Sequence, residues 1–121
     1  MAESDESGLL EHEEHGDVTV VRIKEPMLRG DAATEDLFTN LYALVEDGGH
    51  HKLVLNLGAV VYLASAALGR LVTLYHKARA AGTRLALCEV TPTVDHLLRL
   101  SRLADLMLVY GDERKAIGSF A

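Results

Sequence analysis

The chain has 121 residues, 49 % of them hydrophobic and 25 % charged, which suits one domain able to bury its own core. Its 18 acidic and 12 basic residues give a net charge of −6, against the concentrated basic face of a nucleic-acid or anionic-membrane binder. A single cysteine, Cys88, excludes an internal disulfide framework, no apolar run has the length of a membrane span, and the acidic start lacks a secretory signal pattern.

These features predict a cytoplasmic protein with a flexible acidic tail over residues 1–8 and one domain over 9–121. Residues 9–15 and 18–24 read as two strands joined at Gly16-Asp17, the second β-branched through Val18-Thr19-Val20-Val21. Pro26 ends the second strand, and Arg29-Gly30 is expected to add a short third piece. Asp31 then opens a helix as its cap, with Glu35 and Asp36 supplying negative charge in the first turns. Leu37, Leu41, Leu44 and Val45 form the apolar side of that helix, and Gly48-Gly49 stops it.

Leu53-Val54-Leu55-Asn56-Leu57 is nearly continuous in its apolar character and predicts a central strand covered on both faces. A loop from Gly58 leads through Val60, Val61, Tyr62 and Leu63 to a long helix starting at Ser65 and ending near Ala81, with Leu68, Leu71, Val72 and Tyr75 as its stripe. Residues 84–90 form another buried strand, which holds Cys88 as a core thiol. Thr91 caps a third helix with Pro92 in its first position, and Val94, Leu97 and Leu98 face inward. Met107-Leu108-Val109-Tyr110 is a last strand. A terminal helix after Gly111-Asp112 presents Ala116, Ile117 and Phe120 to the core. The alternation predicts an α/β fold, a mixed and mostly parallel sheet of four to five strands packed with about four helices. The first strand could lie at a sheet edge, so a monomer or a weak homodimer is expected.

From residue 53 onward the pattern resembles the STAS domain, the fold of bacterial anti-sigma-factor antagonists. Tyr62-Leu63-Ala64-Ser65-Ala66-Ala67-Leu68-Gly69 corresponds to the family's Asp-Ser-Ser/Thr-Gly-Leu-Gly motif at a helix start. Gly82-Thr83-Arg84-Leu85-Ala86-Leu87-Cys88 is similar to a family strand, and Thr91-Pro92-Thr93-Val94 with Leu97-Leu98-Arg99-Leu100 to its third helix. Leu103-Ala104-Asp105-Leu106 matches the turn into the final strand, and the resemblance spans about residues 9–120. The motif departs from the family pattern at Ala64, Ala66 and Ala67, and Asn56 stands where the preceding strand usually ends in aspartate. The acidic residue before the first helix maps to Asp31, or to Gly30 with a one-residue slip.

The resemblance implies a non-catalytic module that binds an anti-sigma factor with a serine kinase fold. In switching members the serine after the motif aspartate is phosphorylated by that partner, and Ser65 occupies this position. The implied docking surface comprises Asp31, Asn56, Gly58, Ala64, Ser65, Ala66, Ala67, Leu68, Gly69 and Thr91. Two roles for Ser65 stand side by side: a helix N-cap, or a phosphorylation site whose added charge opposes docking while the helix amides tolerate it. The alternative function is a constitutive STAS scaffold or accessory subunit of a transporter or sensor complex. A small-molecule or nucleotide sensor using the same cleft is a third class.

No other motif points to chemistry. His12 and His15 would lie on opposite faces of a strand and cannot share a metal. Ser65 lacks a G-x-S-x-G elbow, and there is neither a P-loop nor a dinucleotide fingerprint, so no cofactor and no catalysis are expected. Arg70, His76, Lys77 and Arg79 give the second helix a partly basic side, read either as solvated or as a rim for an acidic partner.

Overall fold

The computed structural model describes residues 3–4, 8–47 and 49–120. The antiparallel hairpin is present: β2 (Leu10–His15) pairs with β3 (Val18–Ile23), with His15 opposite Val18. β1 (Glu3–Ser4) pairs with His12 and Glu11 of β2; the rest of the expected tail up to residue 7 lies outside the described residues. The parallel half follows the predicted alternation. β5 (Lys52–Asn56) lies between β3 and β7 (Arg84–Cys88), and β8 (Leu108–Tyr110) closes the far edge. The sheet order is β1-β2-β3-β5-β7-β8: a mixed sheet of five strands plus the two-residue β1.

Among the described residues four α-helices complete the domain: α1 (Ala32–Glu46), α2 (Ser65–Ala80), α3 (Pro92–Leu100) and α4 (Glu113–Gly118). Alternation along the strands divides the core. Val21, Leu53, Leu55 and Leu87 point to one face and meet Leu37, Leu41, Leu71, Leu74 and Leu98 from α1, α2 and α3. Val20, Val54, Ala86 and Cys88 point to the other, where α4 contributes Ala116 and Phe120 follows it. Leu53–Leu57 is thus covered on both sides, as its unbroken apolar character requires. Cys88 is fully buried, and this burial pushes its thiol pKa up to about 12. The stripe of α2 lies one position from the expected one: Ala67, Leu71, Leu74 and Ala78 are buried, with Leu68, Val72 and Tyr75 at its margin.

Two local features differ from the sequence reading. The short third piece is at Met27–Leu28 (β4), because Gly30 turns with φ +80° and Asp31 is already the cap of α1. Tyr62–Leu63, expected as loop, forms β6 and pairs in parallel with β4: Met27 lies opposite Tyr62 and Leu28 opposite Leu63. Of the glycine pair after α1, Gly49 takes a φ of +64° and Gly48 lies outside the described residues.

Candidate functional site

The ribbon of β4 and β6 joins the starts of α1 and α2. Leu28 and Leu63 face inward and are buried, so their neighbours Met27 and Tyr62 face outward. Tyr62 is 44 % exposed and the adjoining Val61 53 %, which makes this a small apolar surface where the chain has no core to serve. Pro26 accepts hydrogen bonds from the amides of Val61 (2.8 Å) and Tyr62 (3.1 Å), and the amide of Ala64 donates to Leu28 (2.9 Å). Backbone bonds therefore fix the approach to α2.

Ala64 is the N-cap residue of α2, with extended φ −70° and ψ 160°, and no side chain caps the helix. This corrects the capping role considered for Ser65. Ser65 is the first helical residue, one position too late for its hydroxyl to cap, and its side chain is exposed. Ala66 beside it is exposed too, and its Cβ packs on Gly30; a Cβ at residue 30 would come within 2.7 Å of it. This contact brings the start of α1 against the start of α2. Asp31 caps α1 by accepting from the Thr34 amide at 3.1 Å, and that bond holds its carboxyl below the usual value.

Thr91 belongs to the same end of the sheet but does not cap α3 with its side chain. Its hydroxyl instead donates to the carbonyl of Val60 at 2.9 Å, tying the loop before α3 to the loop before β6. Gly58 is exposed between them, after the end of β5. Asp31, Gly58, Ala64, Ser65, Ala66 and Thr91 thus all lie beyond the carboxyl ends of β3, β5 and β7, where binding crevices of open α/β sheets form.

Two expected surface residues, Ala67 and Asn56, are buried, and a third, Leu68, is partly so. Ala67 is fully buried, because the third residue after the cap turns into the core. Leu68 is half-buried and packs against the same core cluster, and Asn56 is only 8 % exposed. Gly69 is exposed, one turn farther along α2, with open space where a Cβ would sit.

Asn56 instead organises a polar network beneath the site. Its Oδ1 accepts from the Gly58 amide at 2.7 Å, and its Nδ2 donates to Glu89 (3.0 Å) and Glu113 (2.6 Å). A side chain at residue 58 would meet Asn56 Oδ1 at 3.0 Å and the Glu89 carboxylate at 3.2 Å, so glycine fits this position. Glu89 itself takes a left-handed φ of +54°. The Arg22 guanidinium donates to Glu113 (2.7 and 2.9 Å), Glu11 (2.7 Å) and Glu13 (3.4 Å). It holds the Glu113 carboxyl below its ordinary value, with help from Asn56 and against partial desolvation.

The sequence names Val61 and Tyr62 only as loop residues and Asn56 only as a docking residue; it singles out neither Met27 nor the link from Asn56 to Glu89 and Glu113. Met27 and Tyr62 carried one available signal, large apolar residues beside Pro26 and before a helix start. The network carried none, since its members are 33 and 57 positions apart.

The STAS domain family model matches residues 10–116. An anti-sigma F factor antagonist from Paenibacillus polymyxa is 28 % identical over 109 residues, covering 89 % of this chain and 91 % of the relative. Among solved structures, an anti-sigma-factor antagonist (STAS) domain protein from Planctomyces limnophilus superposes with TM-score 0.78 at 18 % identity, covering 93 % of this chain and 97 % of the other. The Bacillus cell fate determinant SpoIIAA in its phosphorylated form superposes with TM-score 0.70 at 18 % identity, covering 93 % and 99 %.

Proposed function

This chain belongs to the STAS domain family, and from that premise we propose that it is a non-catalytic docking module that binds a regulatory protein through the surface around Ser65. The partner in this reading is an anti-sigma factor with a serine kinase fold, and phosphorylation of Ser65 releases it. The observation that carries the reading is the exposed patch of Met27, Val61 and Tyr62 beside the exposed Ser65 and Ala66. Large apolar groups ringed by small ones suit the centre of a protein interface.

Phosphate chemistry suits the same spot. The first amides of a helix lack intrahelical partners, and no side chain caps those of α2. A phosphoryl group on residue one of the helix would lie beside them, favoured by the helix dipole, so the fold would persist. The charge would instead oppose burial of the neighbouring apolar patch by a partner. The curated relative's name, an anti-sigma F factor antagonist, supports the partner class.

Affinity capture from native lysate with wild type and Val61→Asp/Tyr62→Ser as baits tests the surface. Both substituted side chains are exposed, so the variant is expected to fold and to lose the anti-sigma kinase that wild type captures. Equal capture by both baits would place binding elsewhere. Capture of a transporter or sensor subunit in its place, retained by a third bait carrying Ser65→Asp, would establish the constitutive scaffold reading.

A further inference from the structure

A second amphipathic groove opens at the far end of α2. It encloses ≈ 310 Å³ between the last turns of α2, the start of β7 and the β8 edge, with walls that include Tyr75, Arg79, Arg84, Leu106, Leu108 and Phe120. Arg79 lies fourteen positions beyond Ser65, about 21 Å along the helix at 1.5 Å per residue. The groove is therefore spatially separate from the Ser65 surface.

Its charge is unusual for an acidic chain. The other Lys and Arg side chains of α2 have carboxylate partners: Arg70 with Glu35 (2.8 Å) and Lys77 with Glu46 (2.9 Å). Arg79 and Arg84 have none among the described residues. Arg79 reaches only the Tyr75 hydroxyl at 3.5 Å, and Arg84 stacks over the Phe120 ring at 5.1 Å from its centroid. Among the described residues no carboxylate lines the groove.

Two leucines of the wall are open to solvent. Leu108 is 59 % exposed and Leu106 48 %, both large side chains that the core does not use. Leu108 lies on β8, which pairs only with β7, so its outer backbone edge is unpaired among the described residues. A free strand edge, flanking apolar side chains and two guanidiniums without a carboxylate partner among the described residues together match one type of ligand. We propose that this groove docks an extended, acidic and apolar segment of a partner protein, which adds as a strand to β8 and places carboxylates against Arg79 and Arg84. Main-chain bonds would supply affinity and the alternating side chains selectivity. Arg pairs carboxylates with defined geometry, and the aromatic walls lower the local dielectric around such a pair.

The test uses a fluorescein-labelled hexapeptide alternating glutamate with leucine or valine, titrated by anisotropy into the full chain, with the contact mapped by amide chemical shifts. Expected is saturable, salt-sensitive binding, with shifts on β8, the start of β7 and the end of α2. Arg79→Glu/Arg84→Glu is expected to weaken it at least tenfold, and a lysine-for-glutamate peptide to recover binding to that variant. Arg79→Glu alone, at an exposed helix position, gives a reduced loss and guards against misfolding of the double variant. No binding, binding indifferent to charge reversal, or shifts confined to the Ser65 end would overturn the proposal. Octanoate producing the same shifts where the peptide produces none would also overturn it, in favour of a small carboxylate.

Discussion

Asn56 Nδ2 donates to Glu113 Oε2 at 2.6 Å, joining two residues 57 positions apart in the chain. The same amide reaches Glu89 at 3.0 Å, so one neutral donor separates two carboxylates beyond the end of β5. The two flanking carboxylates call for a donor here, which an amide supplies and a carboxylate would not. Asn56→Asp would set three carboxylates together in a nearly buried place and remove both donated bonds. It is expected to lower stability by about 2 kcal/mol at neutral pH. Like-charge neighbours would raise the pKa of the new carboxyl, so the penalty is present above that value and fades as pH falls through it. Urea denaturation at pH 7 and near pH 5 checks this, and equal stability of variant and wild type at pH 7 would contradict it.

Glu113 carries the converse dependence. Its folded pKa lies below its ordinary 4.5, mainly through the hydrogen bond from Arg22. The stability it contributes is therefore complete above pH 4.5 and is lost as pH falls through the folded value. Glu113→Gln is expected to cost about 1 kcal/mol at pH 7 and to flatten the stability profile below pH 4.5. Denaturation midpoints over pH 3–7 for both proteins measure the difference, and parallel profiles would show that Glu113 is not the titrating group.

Gly30 meets two demands at once, a φ of +80° and contact with Ala66. Gly30→Ala should lose about 1–2 kcal/mol to the left-handed backbone and a further 1–3 kcal/mol to the clash. Adding Ala66→Gly removes the clash alone, so the double variant should recover only part of the loss. Thermal unfolding of the wild type and the three variants resolves the two contributions; full recovery would mean that backbone strain contributes nothing.

The absence of a side-chain cap on α2 makes Ala64 a place to gain stability. Its extended backbone already has N-cap geometry. Ala64→Asp is expected to add about 0.5–2 kcal/mol by bonding a first-turn amide. Ser65→Ala should change stability by less than about 0.5 kcal/mol, since no bond of its exposed side chain is lost. Chemical denaturation of both variants tests the assignment, and a large loss in Ser65→Ala would restore serine as a structural residue.

Much of the fold was legible because periodicity reports burial directly. The apolar run at Leu53–Leu57, the β-branched Val18–Val21 segment and the helical spacing of Leu37 and Leu41 each state which faces are covered. β4 was placed two residues late, at Arg29-Gly30, and β6 escaped, because a two-residue strand has no period to detect. The cap of α2 was misassigned by one residue because local propensity favours serine over alanine, while the Leu28–Ala64 backbone bond sets where the helix begins. Thr91 satisfied the local rule for a cap, yet its hydroxyl bonds Val60, a partner that folding supplies. Ala67 showed the same limit: a motif position says nothing about facing until the helix register is known.

The most direct measurement of the central claim is quantitative capture from native lysate with wild type and Ser65→Asp as paired baits, read by mass spectrometry. Aspartate at the first helical position is compatible with the helix dipole, so lost binding would report charge at the interface and not unfolding. The account predicts that an anti-sigma kinase is captured by wild type and lost with Ser65→Asp. Retention of the same partner by both baits would contradict it and leave Ser65 without a switching role.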